Sequence, residues 1–161
     1  MKIEYRLVRP EDLIESDNQT FAKMLDKQDK VNGDTKTKAA KCKFVCLVTV
    51  DDDVVAIGGI KPKTASDFSH EKAGVPALAS EFEWELGYFY TAPSHERRGI
   101  GSNIARLLIE AYGDGNLMAS TEVSANPGMT SILERHGFRL FGKPWKSSRH
   151  CNHLALFLRF E

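Results

Sequence analysis

The sequence predicts a mixed α/β fold, and three observations carry that expectation. Strand-like and helix-like hydrophobic periods alternate along the whole chain, without internal repeat, low complexity or linker. The length, 161 residues with 42% hydrophobic and 27% charged, suits one soluble globular domain spanning residues 1–161. A chain of this size buries roughly two-thirds of its unfolded surface and needs no disulfide or structural metal to fold. Lys plus Arg equals Asp plus Glu at 22 each, which argues against a general nucleic-acid or membrane-surface binder. The longest apolar runs are strand-sized, excluding a transmembrane helix. The opening Met1-Lys2-Ile3-Glu4-Tyr5-Arg6 carries no export pattern, so the expected location is the cytoplasm.

Ile3 to Val8 reads as a first strand, and Arg9-Pro10-Glu11-Asp12 as a turn and acidic helix start before Leu13, Ile14, Phe21 and Leu25. Phe44 to Val50 is apolar on both faces, as in a strand covered on two sides. Asp51-Asp52-Asp53 turns it into Val54 to Ile60, completing a hairpin. Lys61 to Ser80 shows no period and predicts a long loop, a feature often mobile or functional. Phe82 to Tyr90 alternates, with Phe82, Trp84, Leu86, Tyr88 and Tyr90 on one face and Glu83, Glu85, Gly87 and Phe89 on the other. Thr91 to Arg98 is a polar connection, and Ile100, Ile104, Leu107, Leu108 and Ala111 mark a helical stripe ending near Gly113. Leu117 to Val123 is strand-like. Asn126-Pro127 starts a short helix with Met129, Ile132, Leu133 and His136 on one face, and Gly137 stops it. Phe138 to Phe141 and Leu154 to Phe160 supply the closing strands.

Chemistry concentrates between Glu85 and Ser102, a strand, a turn and a helix start. Gly99 and Gly101 remove β-carbons where free N–H groups gather at a helix N-terminus, so an anion can approach closely and feel the helix dipole. Arg97 and Arg98 add positive charge. Glycines there also serve tight turns and close packing, so the spacing alone leaves a purely structural reading open. A dinucleotide fingerprint fails, because Ile104 stands at its third glycine, and no Walker A lysine follows.

Glu85-Leu86-Gly87-Tyr88-Phe89-Tyr90-Thr91-Ala92-Pro93 followed by Glu96-Arg97-Arg98-Gly99-Ile100-Gly101 resembles the core motif of the GNAT superfamily of acyl-CoA-dependent N-acyltransferases. Asn126-Pro127-Gly128-Met129 to Ile132-Leu133-Glu134-Arg135-His136-Gly137-Phe138 resembles that family's second motif. The resemblance implies a mostly antiparallel central sheet of six to seven strands flanked by about four helices. It implies acetyl-CoA as co-substrate and an amine of a small molecule or protein as acceptor, often in a homodimer. The coenzyme pyrophosphate would sit on the N–H groups of Glu96, Arg97, Arg98, Gly99, Ile100, Gly101 and Ser102. The pantetheine arm would pair with the backbone of Phe89, Tyr90 and Thr91 almost as an added strand, with Asn126 contributing a side-chain hydrogen bond or acting only as a helix cap. Two departures stand out. Glu96 replaces the usual Gln or Arg, and Leu133 replaces the Tyr that in many members protonates the leaving thiolate. Either another group donates, or the thiolate leaves unaided.

An amine acceptor arrives mostly as ammonium, so a base is useful. Glu85 is the first candidate, since it matches the family's strand glutamate and shares a face with Glu83, whose charge would raise its pKa. The plain alternative is that both carboxylates face solvent or pair with lysines. His95 and Tyr90 are lesser candidates for base and acid, and a backbone N–H near Phe89 or Tyr90 would stabilise the oxyanion. No metal is expected, because His150-Cys151-Asn152-His153 lacks a second close pair. Cys42 and Cys46 lie about 13 Å apart at strand rise, too far for a bridge. Lys23 to Lys43 holds seven lysines and three aspartates, ordinarily a solvated face. The resemblance puts it, with the 142–152 loop carrying Trp145, Lys146, Arg149 and His150, beside the acceptor. The competing functional expectation is an inactive acyl-CoA-binding regulatory or interaction protein of the same fold.

Overall fold

The computed structural model describes residues 2–31, 33–124, 126–147 and 152–161. Seven strands form a mixed, mostly antiparallel sheet: β1 (Ile3–Val8), β2 (Phe44–Val50), β3 (Asp53–Pro62), β4 (Trp84–Thr91), β5 (Leu117–Glu122), β6 (Arg139–Lys146) and β7 (His153–Arg159). The α-helices described are α1 (Glu15–Gln28), α2 (Ile100–Tyr112) and α3 (Pro127–Arg135), joined by one-turn and two-turn 3-10 segments. The chain divides into two compact units, Met1–Lys61 with Leu86–Ala111 and Pro62–Glu85 with Tyr112–Glu161.

In the first unit the strand order is β1-β2-β3-β4, with β1 and β3 both antiparallel to β2. The unbroken apolar run of β2 is explained by its burial: Val45, Cys46, Leu47 and Val48 are all sealed from solvent. Phe21, Met24 and Leu25 of α1 pack with Val8, Val45, Leu47 and Ile57 in one cluster, against which Tyr88 and Tyr90 are laid. Asp17 fixes the entry of α1 by reaching back to the Ile14 N–H at 3.4 Å while pairing with Arg6 at 2.7 Å. The acidic start predicted at Glu11 and Asp12 is a separate 3-10 turn, Pro10–Asp12. Gly58 lets α2 come close, since a Cβ there would stand 2.5 Å from Ile104.

The second unit orders its strands β4-β5-β7-β6, with β4 and β5 parallel at Glu85 and Met118 and the other pairs antiparallel. Its core gathers Phe68, Phe82, Met118, Trp145, Leu156 and Leu158. The loop predicted over Lys61 to Ser80 is built as two 3-10 segments, Ala65–Phe68 and Pro76–Glu81. Phe68 anchors it at 0% exposure, and Lys143 of β6 donates its N–H to the Ala73 carbonyl at 3.0 Å. Asn126 caps α3, its side chain accepting from the Met129 N–H at 3.3 Å.

Candidate active site

The strand predicted over Phe82 to Tyr90 is present as β4 (Trp84–Thr91), with Tyr88 and Tyr90 laid against one core cluster as expected, and within it Tyr88 takes a φ of +62°. A non-glycine residue rarely enters this left-handed region, and in a strand it bends the backbone and re-aims the side chains that follow. Tyr88 lies edge-on to Phe21 at 6.0 Å between ring centroids, with the Lys61 ammonium 5.2 Å from its centroid. Phe89 turns toward Gly58, so both faces of the strand carry aromatic side chains. The Phe89 carbonyl accepts from Gln28 Nε2 of α1 at 2.6 Å.

Beyond β4, Pro93–His95 forms a 3-10 turn and Arg97 and Gly99 take φ of +63° and +78°. Left-handed residues can turn successive N–H groups into one concavity, the backbone nest that accepts anions, and these two stand just before the first turn of α2. Neither Gly99 nor Gly101 has a heavy atom within 4 Å of where its Cβ would be, so the space beside these two glycines is open. Arg97, Arg98, Glu96 and Ser102 are exposed around it, whereas Ile100 is buried and holds the helix start to the core. The Glu96 side chain is therefore at the solvent rim. His95 Nδ1 lies 2.8 Å from the Ser94 hydroxyl.

Glu85 is 6% exposed, not at the solvent. Its Oε1 accepts from the Thr64 N–H at 2.9 Å and the Thr64 hydroxyl at 2.8 Å. Glu83 is exposed just before β4, and the carboxylate found near Glu85 is Asp67. Burial, reinforced by the charge of Glu85, pushes the Asp67 carboxyl up to about 6 despite Lys72 Nζ at 3.4 Å. Sequence reading missed Asp67 and Thr64, which sit in the loop without periodicity and leave no pattern to read. It also missed Gln28, an unremarkable last residue of an amphipathic helix.

Tyr90 is half-buried against the first unit's core, and Leu133 is fully buried on α3. Asn126 spends its side-chain oxygen on the helix cap, the structural member of the two roles expected for it. Cys42 and Cys46 are free, buried thiols, pushed up to about 12 by burial. Arg149, His150 and Cys151 lie outside the described residues, and among those described no cluster of His, Cys, Asp and Glu could hold a metal. A cavity of about 660 Å³ in the second unit, lined by Val123, Thr130, Glu134, Phe138, Arg139 and Phe157, contains none of the predicted site residues. No described helix is long and apolar enough to cross a membrane.

The profile of the acetyltransferase (GNAT) family matches residues 10–138. Comparison with curated protein sequences finds no match. Among solved structures the fold is shared with an acyl-CoA N-acyltransferase from Pseudomonas aeruginosa, at 10% identity over 98% of this chain and 99% of that one, TM-score 0.72. It is shared with Arabidopsis thaliana NAA60 in complex with acetyl-CoA, at 12% identity over 99% and 100% of the two chains, TM-score 0.67. The ribosomal-protein-S18-alanine N-acetyltransferase of Escherichia coli is similar at 12% identity over 97% and 93%, TM-score 0.63.

Proposed function

Because the chain belongs to the GNAT acetyltransferase family, whose acyl donor is acetyl-CoA, we propose that it moves the acetyl group to a primary amine by direct attack in a ternary complex. The observation that carries the reading is the open nest at Arg97 to Ser102, with positive φ at Arg97 and Gly99 and free space above Gly99 and Gly101. The pyrophosphate takes those N–H groups, and the two arginines at the rim add charge. The pantetheine arm runs along the backbone of Phe89, Tyr90 and Thr91.

Glu85 takes the proton that the ammonium must lose. A carboxylate buried to this degree is useful only if its charge is supported, and the two Thr64 donors supply that support. A backbone N–H at the β4 irregularity around Phe89 faces the developing oxyanion. The coenzyme thiolate leaves without a tyrosine donor, since Leu133 is fully buried and has no proton to give. The acceptor is a small-molecule or protein amine. Cytoplasmic residence is supported by the free thiols of Cys42 and Cys46.

Thermal unfolding with increasing acetyl-CoA, against adenosine diphosphate as the comparison, tests the coenzyme site. Ligand at a hundred times its Kd adds about 2.7 kcal/mol, a Tm rise of several degrees for a domain of this size. The rise should exceed that with the nucleotide and vanish in Gly101→Glu, which puts bulk and negative charge into the open cradle. Equal shifts in wild type and G101E would place the phosphates elsewhere.

A further inference from the structure

Gln28 is the last residue of α1, and its side chain crosses to β4, where Nε2 lies 2.6 Å from the Phe89 carbonyl oxygen. That contact fixes the orientation of the amide, because the opposite flip would set oxygen against oxygen. The other end of the amide is then committed too. Oε1 is buried and has no hydrogen-bond partner among the described residues. The side chain therefore gains one hydrogen bond and leaves one acceptor unsatisfied, and the two effects are of similar size and opposite sign. An arrangement so balanced is easily exchanged.

The carbonyl that Gln28 holds is not an ordinary one. The Ala92 N–H donates to Val55 of β3 at 2.8 Å. Peptide groups alternate sides along an extended strand, so those of Thr91 and Phe89 face away from β3. That is the side on which an added strand, or the amide-bearing pantetheine arm, must pair. We infer that Gln28 is a latch on β4: in the free protein its amide occupies the Phe89 carbonyl that a pantetheine amide N–H requires, and coenzyme binding displaces it. Release frees Oε1 to find a donor, so displacement removes the orphaned acceptor together with the bond.

This rests on the coenzyme reading of β4 given above, and the test separates the two. A latched fraction of one half to four-fifths of free molecules weakens the apparent affinity by about two- to fivefold, because only the unlatched protein binds. Calorimetric titration of acetyl-CoA into wild type, Gln28→Ala and Gln28→Met should show Kd lower by that factor in both variants. An unchanged or higher Kd in folded variants, with wild type binding normally, overturns the latch alone. No binding to folded wild type overturns the coenzyme reading and the latch with it. The Gln28 side-chain amide signals, assigned by their loss in Q28M, give a readout on the wild-type protein. They should move on addition of acetyl-CoA, and signals that stay in place through saturation overturn the displacement.

Discussion

Glu85 shows how much a single residue's environment decides. Its neighbours are Thr64, which donates twice to Oε1, and Asp67, a second buried carboxylate. Thr64 serves Glu85, while Asp67 is the one held toward the neutral form, at about 6. If Glu85 is the base proposed above, removing its charge should slow the transfer and leave coenzyme binding alone. Glu85→Gln is expected to lower the acetyl-transfer rate at pH 7 by about a hundredfold, the usual scale for a general base. The calorimetric Kd for acetyl-CoA should change little. An unaltered rate and pH profile would remove Glu85 from the mechanism.

At the scale of elements, the loop that carries Asp67 depends on a glycine of the strand beside it. Gly142 in β6 has φ +72°, and a Cβ on it would stand 2.1 Å from the Ala73 carbonyl oxygen. The same carbonyl receives the Lys143 N–H. Gly142→Ala thus meets both a left-handed backbone and a wall of main chain, which no rotamer change relieves. It should destabilise the protein by about 2 kcal/mol or more, read from the denaturant midpoint at constant slope. G113A, with φ +87° and nothing within 4 Å of its Cβ, separates the backbone cost from the collision. The smaller loss expected there would confirm that contact with Ala73 matters.

Much of this level was legible in the sequence. The bounds of β1 match the alternating Ile3 to Val8, those of β2 follow from its apolar run, and those of α2 from its stripe and Gly113, because local spacing already defines these patterns. What the alternation of β4 does not announce is the left-handed backbone at Tyr88, a conformation that a tyrosine does not signal. The turn before α2 was legible because glycine at 99 is itself the signal of a left-handed backbone. The pairing of Asp67 with Glu85 was not, since it joins an aperiodic loop to a strand and depends only on the path between them.

For the molecule as a whole, the buried Asp67 writes itself into the pH dependence of stability. Its carboxyl titrates at about 6 in the folded protein, against about 4 in an unfolded chain. The folded state therefore binds the extra proton between those values. The favourable contribution is complete below about pH 4 and is lost as pH rises through 6, where a charged Asp67 must be accommodated in the interior. Asp67→Asn is expected to stabilise relative to wild type by an amount that grows across this window, on the order of 2 kcal/mol by pH 7. Asp17 has the opposite sign, since the hydrogen bond from Arg6 lowers its pKa and its contribution fades in acid. For this reason the test is the difference between wild type and D67N in denaturant unfolding from pH 4 to 8. A difference that does not vary with pH would show that Asp67 does not titrate there.

The two buried cysteines determine how turnover can be watched. Acetyl transfer liberates one coenzyme thiol per cycle, and a chromogenic aromatic disulfide counts it continuously, provided the protein does not consume the dye. Cys42 and Cys46 are 2% and 0% exposed, and their thiols titrate at about 12. The thiolate is the species that attacks the dye, so neither competes at the mildly alkaline pH of the assay. Cys151, outside the described residues, is the remaining cysteine, and the blank cannot exceed one equivalent per folded chain. Absorbance that rises past that point with an amine and faster than without it reports transfer over hydrolysis, and a panel of amines can be screened in one cuvette format without stopping the reaction.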